Sequence, residues 1–154
     1  MVDLDLLRGL PPDEAERVLA LGERVALTTG AELFHLGKAA DSIYLVVRGR
    51  LRLTLPMRVR SKEEEVLVEE SSSGQTVGWS ALIPPYRFTL TATAPIETEV
   101  IAIPRDALSR YFGEHPTTGY TLSLNLSSVI GHRLHLFQAM WLREIQRMVE
   151  QRCA

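Results

Sequence analysis

The sequence predicts a mainly β domain, a sandwich or roll of short strands, with helices before it and a long helix after it. Two observations carry this. From about residue 25 to residue 103, β-rich apolar runs, one of them strictly alternating, are separated by Gly and Pro, which indicates a sandwich or roll rather than βαβ units. Outside that stretch the apolar residues recur at three- and four-residue steps, the period of a helix with one buried face.

Residues 1–24 read as helical: Leu4, Leu7 and Leu10 share a face, and Pro11-Pro12-Asp13-Glu14 resembles a helix start with acids in its first turn. Val18, Leu19 and Leu21 continue the second helix until Gly22 interrupts it. Strands are expected at Leu33 to Leu36 and at the β-rich run Ile43 to Val47. After Arg48-Gly49, the segment Arg50 to Leu55 alternates strictly, leucines inward and Arg or Thr outward. Glu65 to Glu69 follows and ends in the turn Ser71-Ser72-Ser73-Gly74; two more strands are expected at Arg87 to Ala92 and Glu97 to Ile103. Helix returns at Pro104, placed as a first-turn residue, and breaks at Gly113 to Pro116. A long helix then runs from about Thr117. Ile130, Leu134, Phe137, Trp141, Ile145 and Met148 make its apolar stripe, which Leu126, Val129, Leu136 and Met140 widen. That is broader than one flank of a roll needs, so those six residues are expected to form a helix-to-helix homodimer seam.

With 154 residues, 45% hydrophobic and 23% charged, the chain fits one domain with a real core. The expected division is 1–24 N-terminal helices, 25–103 roll and 104–154 C-terminal helices, within a single domain 1–154. A net charge of −2 gives no global pull toward nucleic acid or an anionic membrane. The lone Cys153 can form no internal disulfide, and the N-terminus has neither a basic start nor an apolar run long enough to export or span, so the cytoplasm is expected.

The segment Gly74 to Thr89 carries the chemistry. Its two glycines, Gly74 and Gly78, allow unusual backbone angles or close ligand approach. Ser80-Ala81-Leu82 could begin a short helix whose amides face an anion, and Arg87 arrives nine positions after Gly78 with a fork suited to phosphate. Together with Gly30 to Gly37, with Asp41 to Gly49 and with the long helix, this segment resembles the cyclic-nucleotide-binding domains of catabolite-activator and FNR-like regulators, cyclic-nucleotide-dependent kinases and gated channels.

The resemblance implies a β-roll, a double-stranded β-helix or jelly-roll-like fold, acting as a ligand-sensing regulatory domain. It implies a phosphate-binding cassette over residues 78–89: Gly78 as its first glycine, Ser80, Ala81 and Leu82 as its short helix, Arg87 on the phosphate, and Phe88 and Thr89 following. It departs at Trp79, where the family carries a glutamate that accepts from the ribose 2′-hydroxyl; indole donates but cannot accept in that way. Phe137, Gln138 and Trp141 on the long helix would form a lid over the ligand. The expected ligand is a small phosphate-bearing anion such as cyclic AMP, cyclic GMP or a related nucleotide, with no further cofactor, and a downstream protein partner would receive the signal. The alternative is a dimerisation or interaction module on the same fold that has lost its ligand, which Trp79 favours. The resembling transcription factors continue into a helix-turn-helix; none follows before Ala154, so direct DNA binding is not expected of this chain.

Other chemistry is weaker. Arg48, Arg50, Arg52, Arg58 and Arg60 are better read as cross-strand partners of Glu63, Glu64 and Glu65 than as a nucleic-acid strip. His132 and His135 share a helical face without an evident third metal ligand. No Ser elbow, P-loop or clustered His-x-His set is present, and an enzyme is not expected.

Overall fold

The alternating runs fold into two four-stranded sheets whose paired strands are all antiparallel, in a computed structural model that describes residues 2–154. The strands are β1 (Glu23–Leu27), β2 (Glu32–Phe34), β3 (Ser42–Arg48), β4 (Arg50–Val59), β5 (Lys62–Ser72), β6 (Thr76–Val77), β7 (Thr91–Thr93) and β8 (Thr98–Pro104). One sheet runs β1-β8-β3-β6 and the other β2-β7-β4-β5, the jelly-roll-like β-roll. Helices flank it: α1 (Pro12–Leu19) before, α2 (Arg105–Glu114) and α3 (Pro116–Cys153) after. Among the described residues no helix is long and apolar enough to cross a membrane.

The core follows from the pleat. Ile43, Leu45 and Val46 of β3, Leu51 and Leu53 of β4, and Val100 and Ile103 of β8 are buried in one apolar core. Gly49 joins β3 to β4 at φ +83°, and a Cβ there would stand 2.5 Å from Thr98 Oγ1, so the turn requires glycine. The strict alternation expected along β4 holds to Leu53. There the register against β5 shifts, and the bulge leaves Thr54 buried as well. Arg58 lies opposite Glu63 as expected, whereas Arg52 faces Glu70 and Arg50 faces Ser72, outside the expected set Glu63 to Glu65.

Several boundaries differ from expectation. The N-terminal segment is less helical than its leucine spacing implies. Asp5–Leu7 is a 3-10 turn, and the chain has already entered β1 at Glu23. Tertiary bonds decide this: the Asp5 amide donates to the Gly74 carbonyl at 2.8 Å, and Asn125 Nδ2 donates to the carbonyls of Leu6 and Arg8. β2 stops at Phe34, β5 extends to both sides of its apolar centre, and Pro104 ends β8 rather than opening α2. The strand expected over Arg87 to Ala92 is confined to Thr91–Thr93.

Glu14 pins α1 to the other helices, accepting hydrogen bonds from Tyr111 Oη at 2.8 Å, Thr118 Oγ1 at 2.7 Å and Arg17 Nη1 at 2.8 Å. The Thr118 bond, then the Tyr111 bond, holds its carboxyl below the ordinary carboxylate range. On α3 the face against the body carries Thr118, Leu122, Leu126 and Arg133. Arg133 is the last buried residue of the helix.

Candidate functional site

The chain leaves β6 at Gly78, whose left-handed backbone (φ +78°, ψ 32°) redirects it into a 3-10 turn over Trp79–Ala81. A Cβ on Gly78 would meet the Tyr44 ring at 3.1 Å. Within this turn the amides of Ala81, Leu82 and Ile83 donate to the carbonyls of Gly78, Trp79 and Ser80. The Ala81 and Leu82 amides, expected to face an anion, are therefore already spent. Ser80 and Ala81 are buried, and half-buried Trp79 packs on the core.

From Tyr86 to Phe88 the chain bonds to residues 37–40. The Ala40 amide donates to Tyr86 at 2.8 Å, Phe88 to Lys38 at 3.0 Å and Gly37 to Phe88 at 2.8 Å, with Arg87 bridging Ala39. Extended backbone alternates its side chains. Phe88 and Leu90 point in, while Arg87 and Thr89 are exposed. The exposed Arg87 guanidinium donates to the Gly37 carbonyl at 2.9 Å. Phe88 occupies the inward place, stacked on Phe34 with centroids 4.0 Å apart and planes 13° from parallel.

Arg87, Ala81 and Leu82 do not line the cavity that Gly78 and Ser80 share. Gly78, Trp79, Ser80, Phe88 and Thr89 do line one cavity, with Phe34, Leu53, Leu90 and Arg133. Its volume is only about 10 Å³, about the room one water needs. Leu82 faces a separate groove of about 320 Å³ with Phe112, Leu122, Leu126 and Ile130.

Two arginines missed from the sequence hold this region. Arg105, at the start of α2, donates to the carbonyls of Ala40 at 2.8 Å and Ala81 at 3.1 Å. Its guanidinium lies 4.1 Å above the Tyr86 ring. A cation in the first turn opposes the helix dipole, which was the available signal. Arg133 comes from α3 and is 8% exposed; its Nε donates to Glu69 Oε2 of β5 at 2.7 Å. Its signal was a cation two turns beyond Leu126 on an apolar face. On the other side of this pair lies a polar cavity of about 380 Å³, walled by Ser71, Thr76, Asn125, Ser128, Glu69 and Arg133, among others.

Beyond Arg133 the helix leaves the roll. Phe137, Gln138 and Trp141, expected as a lid, are exposed and line neither cavity. Of the expected seam, Leu134, Phe137, Trp141 and Met148 are exposed, and Ile130 and Ile145 are half-buried. His132 and His135 are both exposed. Among the described residues no three His, Cys, Asp or Glu side chains are grouped to hold a metal.

The cyclic nucleotide-binding domain model matches residues 24–115. Among characterised proteins, the lysophospholipase nte1 of Neurospora crassa is 29% identical over 115 residues, 75% of this chain but 7% of that protein. The cyclic AMP receptor protein of Thermus thermophilus is 25% identical over 129 residues, 84% of this chain and 56% of the receptor. The chain thus spans a small part of the first and about half of the second. The solved Thermus thermophilus catabolite activator protein superposes with a TM-score of 0.75 at 23% identity, covering 92% of this chain and 63% of that one, a likeness of fold.

Proposed function

The chain belongs to the cyclic nucleotide-binding domain family, whose fold is that of a ligand-binding regulatory domain, and from this we propose a cytoplasmic, anion-responsive module that works as a homodimer joined along α3. The observation that carries the proposal is the double duty of α3. Its Arg133 closes the cassette cavity, and the rest of the helix projects with its apolar residues uncovered. From Leu134 onward Phe137, Met140, Trp141, Leu142, Met148 and Val149 are exposed, Trp141 by 63%. A projection of some twenty residues reaches about 30 Å. An apolar stripe of that length is covered by a second copy in the coiled-coil manner. A change at Arg133 is then passed along the helix to the seam and on to a downstream protein partner.

The ligand this reading takes is a compact phosphate-bearing anion, a cyclic nucleotide or a relative of one. Support comes from the family match and from a buried cation beside the cassette, whereas Trp79 supplies no acceptor for a ribose hydroxyl. Light scattering tests the dimer: the wild type runs as a dimer, and Leu134→Glu/Trp141→Glu runs as a monomer. A wild type that is monomeric at micromolar concentration refutes the seam.

A second reading has its own observation. Phe88 fills the cassette and leaves about 10 Å³, which favours a dimerisation module that needs no ligand. Thermal shift with cyclic AMP, cyclic GMP and orthophosphate separates the two, since a ligand at 100 times its dissociation constant adds about 2.7 kcal/mol.

A further inference from the structure

We propose that the outer face of the β2-β7-β4-β5 sheet carries a second ligand site, a groove of about 280 Å³ that takes a small zwitterion of the free α-amino acid class. The groove shares no lining residue with the cassette cavity, so the proposal stands apart from the anion-responsive reading above.

The pleat sets the floor. Leu53 of β4 pairs with Ala92 of β7, and both side chains lie in the core. Their neighbours therefore point to the other side of the sheet, Thr54 opposite Thr91 and Arg52 opposite Thr93. Threonines on a sheet face turned away from the core ordinarily stand in water. Here Thr54 is 8% exposed and Thr91 4%, sunk between the longer side chains that wall the groove. Thr91 Oγ1 accepts from the Leu36 amide at 3.1 Å, which leaves its proton uncommitted. The Thr54 hydroxyl has no hydrogen-bond partner among the described residues. No side-chain oxygen cut off from the surface lacks one, so this hydroxyl opens into the groove it lines.

The walls carry charges of both signs. On one side Glu32 Oε2 stands 3.2 Å from His35 Nδ1 and is engaged there. On the other, Arg52 and Glu65 are exposed, and among the described residues neither belongs to an ion pair. The register keeps them apart: Arg52 lies opposite Glu70, and Glu65 opposite Pro56. A small molecule, rather than a direct contact, bridges their charged ends. Counting Arg52 against Glu32 and Glu65, with His35 neutral, the lining carries one net negative charge. A lone anion is repelled by the carboxylates, and a lone cation meets the guanidinium. A zwitterion answers both. Its carboxylate takes the Arg52 fork in two parallel bonds, its ammonium donates to Glu65, and the floor hydroxyls serve either end. The volume is just under that of ordinary small-ligand pockets, which limits the ligand to about the size of an amino acid. Leu53, which lines the cassette cavity, stands between Arg52 and Thr54 on the same strand, so the two sites lie back to back across one sheet.

Titration calorimetry on the full chain tests this, with L-alanine, L-glutamine, L-glutamate and L-lysine as probes. At least one is expected to bind. Its methyl ester, which lacks the carboxylate, and its N-acetyl form, which lacks the ammonium, should each bind about tenfold more weakly or worse. Arg52→Gln and Glu65→Gln should each weaken the free amino acid by about tenfold, and the isosteric Thr54→Val by about threefold. Arg52 and Glu65 are exposed and unpaired, so those two variants melt within about 2 °C of wild type, and lost binding then reports the site rather than the fold. Arg87→Ala, outside the groove, leaves the affinity unchanged. The proposal is overturned by no binding of any of the four at about 10 mM, by an ester or N-acetyl form that binds as tightly as the free amino acid, or by an affinity that Arg52→Gln and Glu65→Gln leave unaltered. None of these outcomes bears on the cassette, whose ligand the thermal-shift comparison tests by itself.

Discussion

If Phe88 is the group that fills the cassette, shortening it has a calculable cost. The ring is 6% exposed and lies 4.0 Å from Phe34, centroid to centroid. Phe→Ala in a packed core costs about 3–5 kcal/mol, of which an aromatic pair accounts for roughly 0.5–1.5. The surroundings cannot readily collapse into the gap, because Gly78 and Tyr44 are already close together and Leu53 and Leu90 are tied into the roll. The upper half of that range is therefore expected, about 4 kcal/mol. For a chain of this size each kcal/mol lowers the melting temperature by about 2–4 °C, so Phe88→Ala should melt roughly 8–16 °C below wild type. Urea unfolding with an unchanged m-value would show that the loss lies in the folded state. A loss below about 1 kcal/mol would mean the ring is loosely held, and the conclusion that it closes the cassette would be wrong.

Three other perturbations read out the supports of the site. Arg105→Gln removes two charge-assisted bonds to carbonyls and the contact with Tyr86, and should cost about 2–3 kcal/mol; hydrogen exchange should then rise at Ala40 and Leu82, and unchanged exchange there would count against the clamp. Gly78→Ala should cost about 1–2 kcal/mol, because its left-handed backbone disfavours any Cβ, and a neutral result in urea unfolding would show that the turn can relax. Glu14 has a folded pKa below its unfolded value, so its bonds contribute stability above the unfolded carboxylate pKa and lose it as pH falls through the folded one. Glu14→Gln should accordingly melt below wild type at pH 7, with the two curves converging toward acid; a gap constant from pH 7 to pH 3 would exclude the carboxylate as its source.

The roll was legible because alternation reports which face of a strand is buried, and Leu51, Leu53, Ile43 and Leu45 obey it. Its exceptions came from contacts between segments distant in the chain. Leu4 and Leu7 have helical spacing, yet bonds from Asp5 to Gly74 and from Asn125 to Leu6 hold the segment in a 3-10 turn. The bulge after Leu53 depends on β5 and has no local signal. In the site, Gly78 was legible because its left-handed turn is a property of the residue itself. Arg105 and Arg133 were visible only as cations in unsuitable places, and their partners, Ala81 and Glu69, are 24 and 64 residues away.

Arg87 and Phe88 show why a motif read by residue type can mislead about direction. Both lie where the cassette should close, and the sequence places the arginine on the ligand. Direction is set instead by the hydrogen bonds of the backbone. With Phe88 bonded to both Lys38 and Gly37, residue 88 is fixed inward and its neighbour outward. On extended backbone a shift of one residue exchanges the two faces completely. The span from Gly78 to Arg87 thus delivers the ring to the interior and the guanidinium to the Gly37 carbonyl. Among the described residues that line the cassette cavity, the one cation is Arg133 of α3.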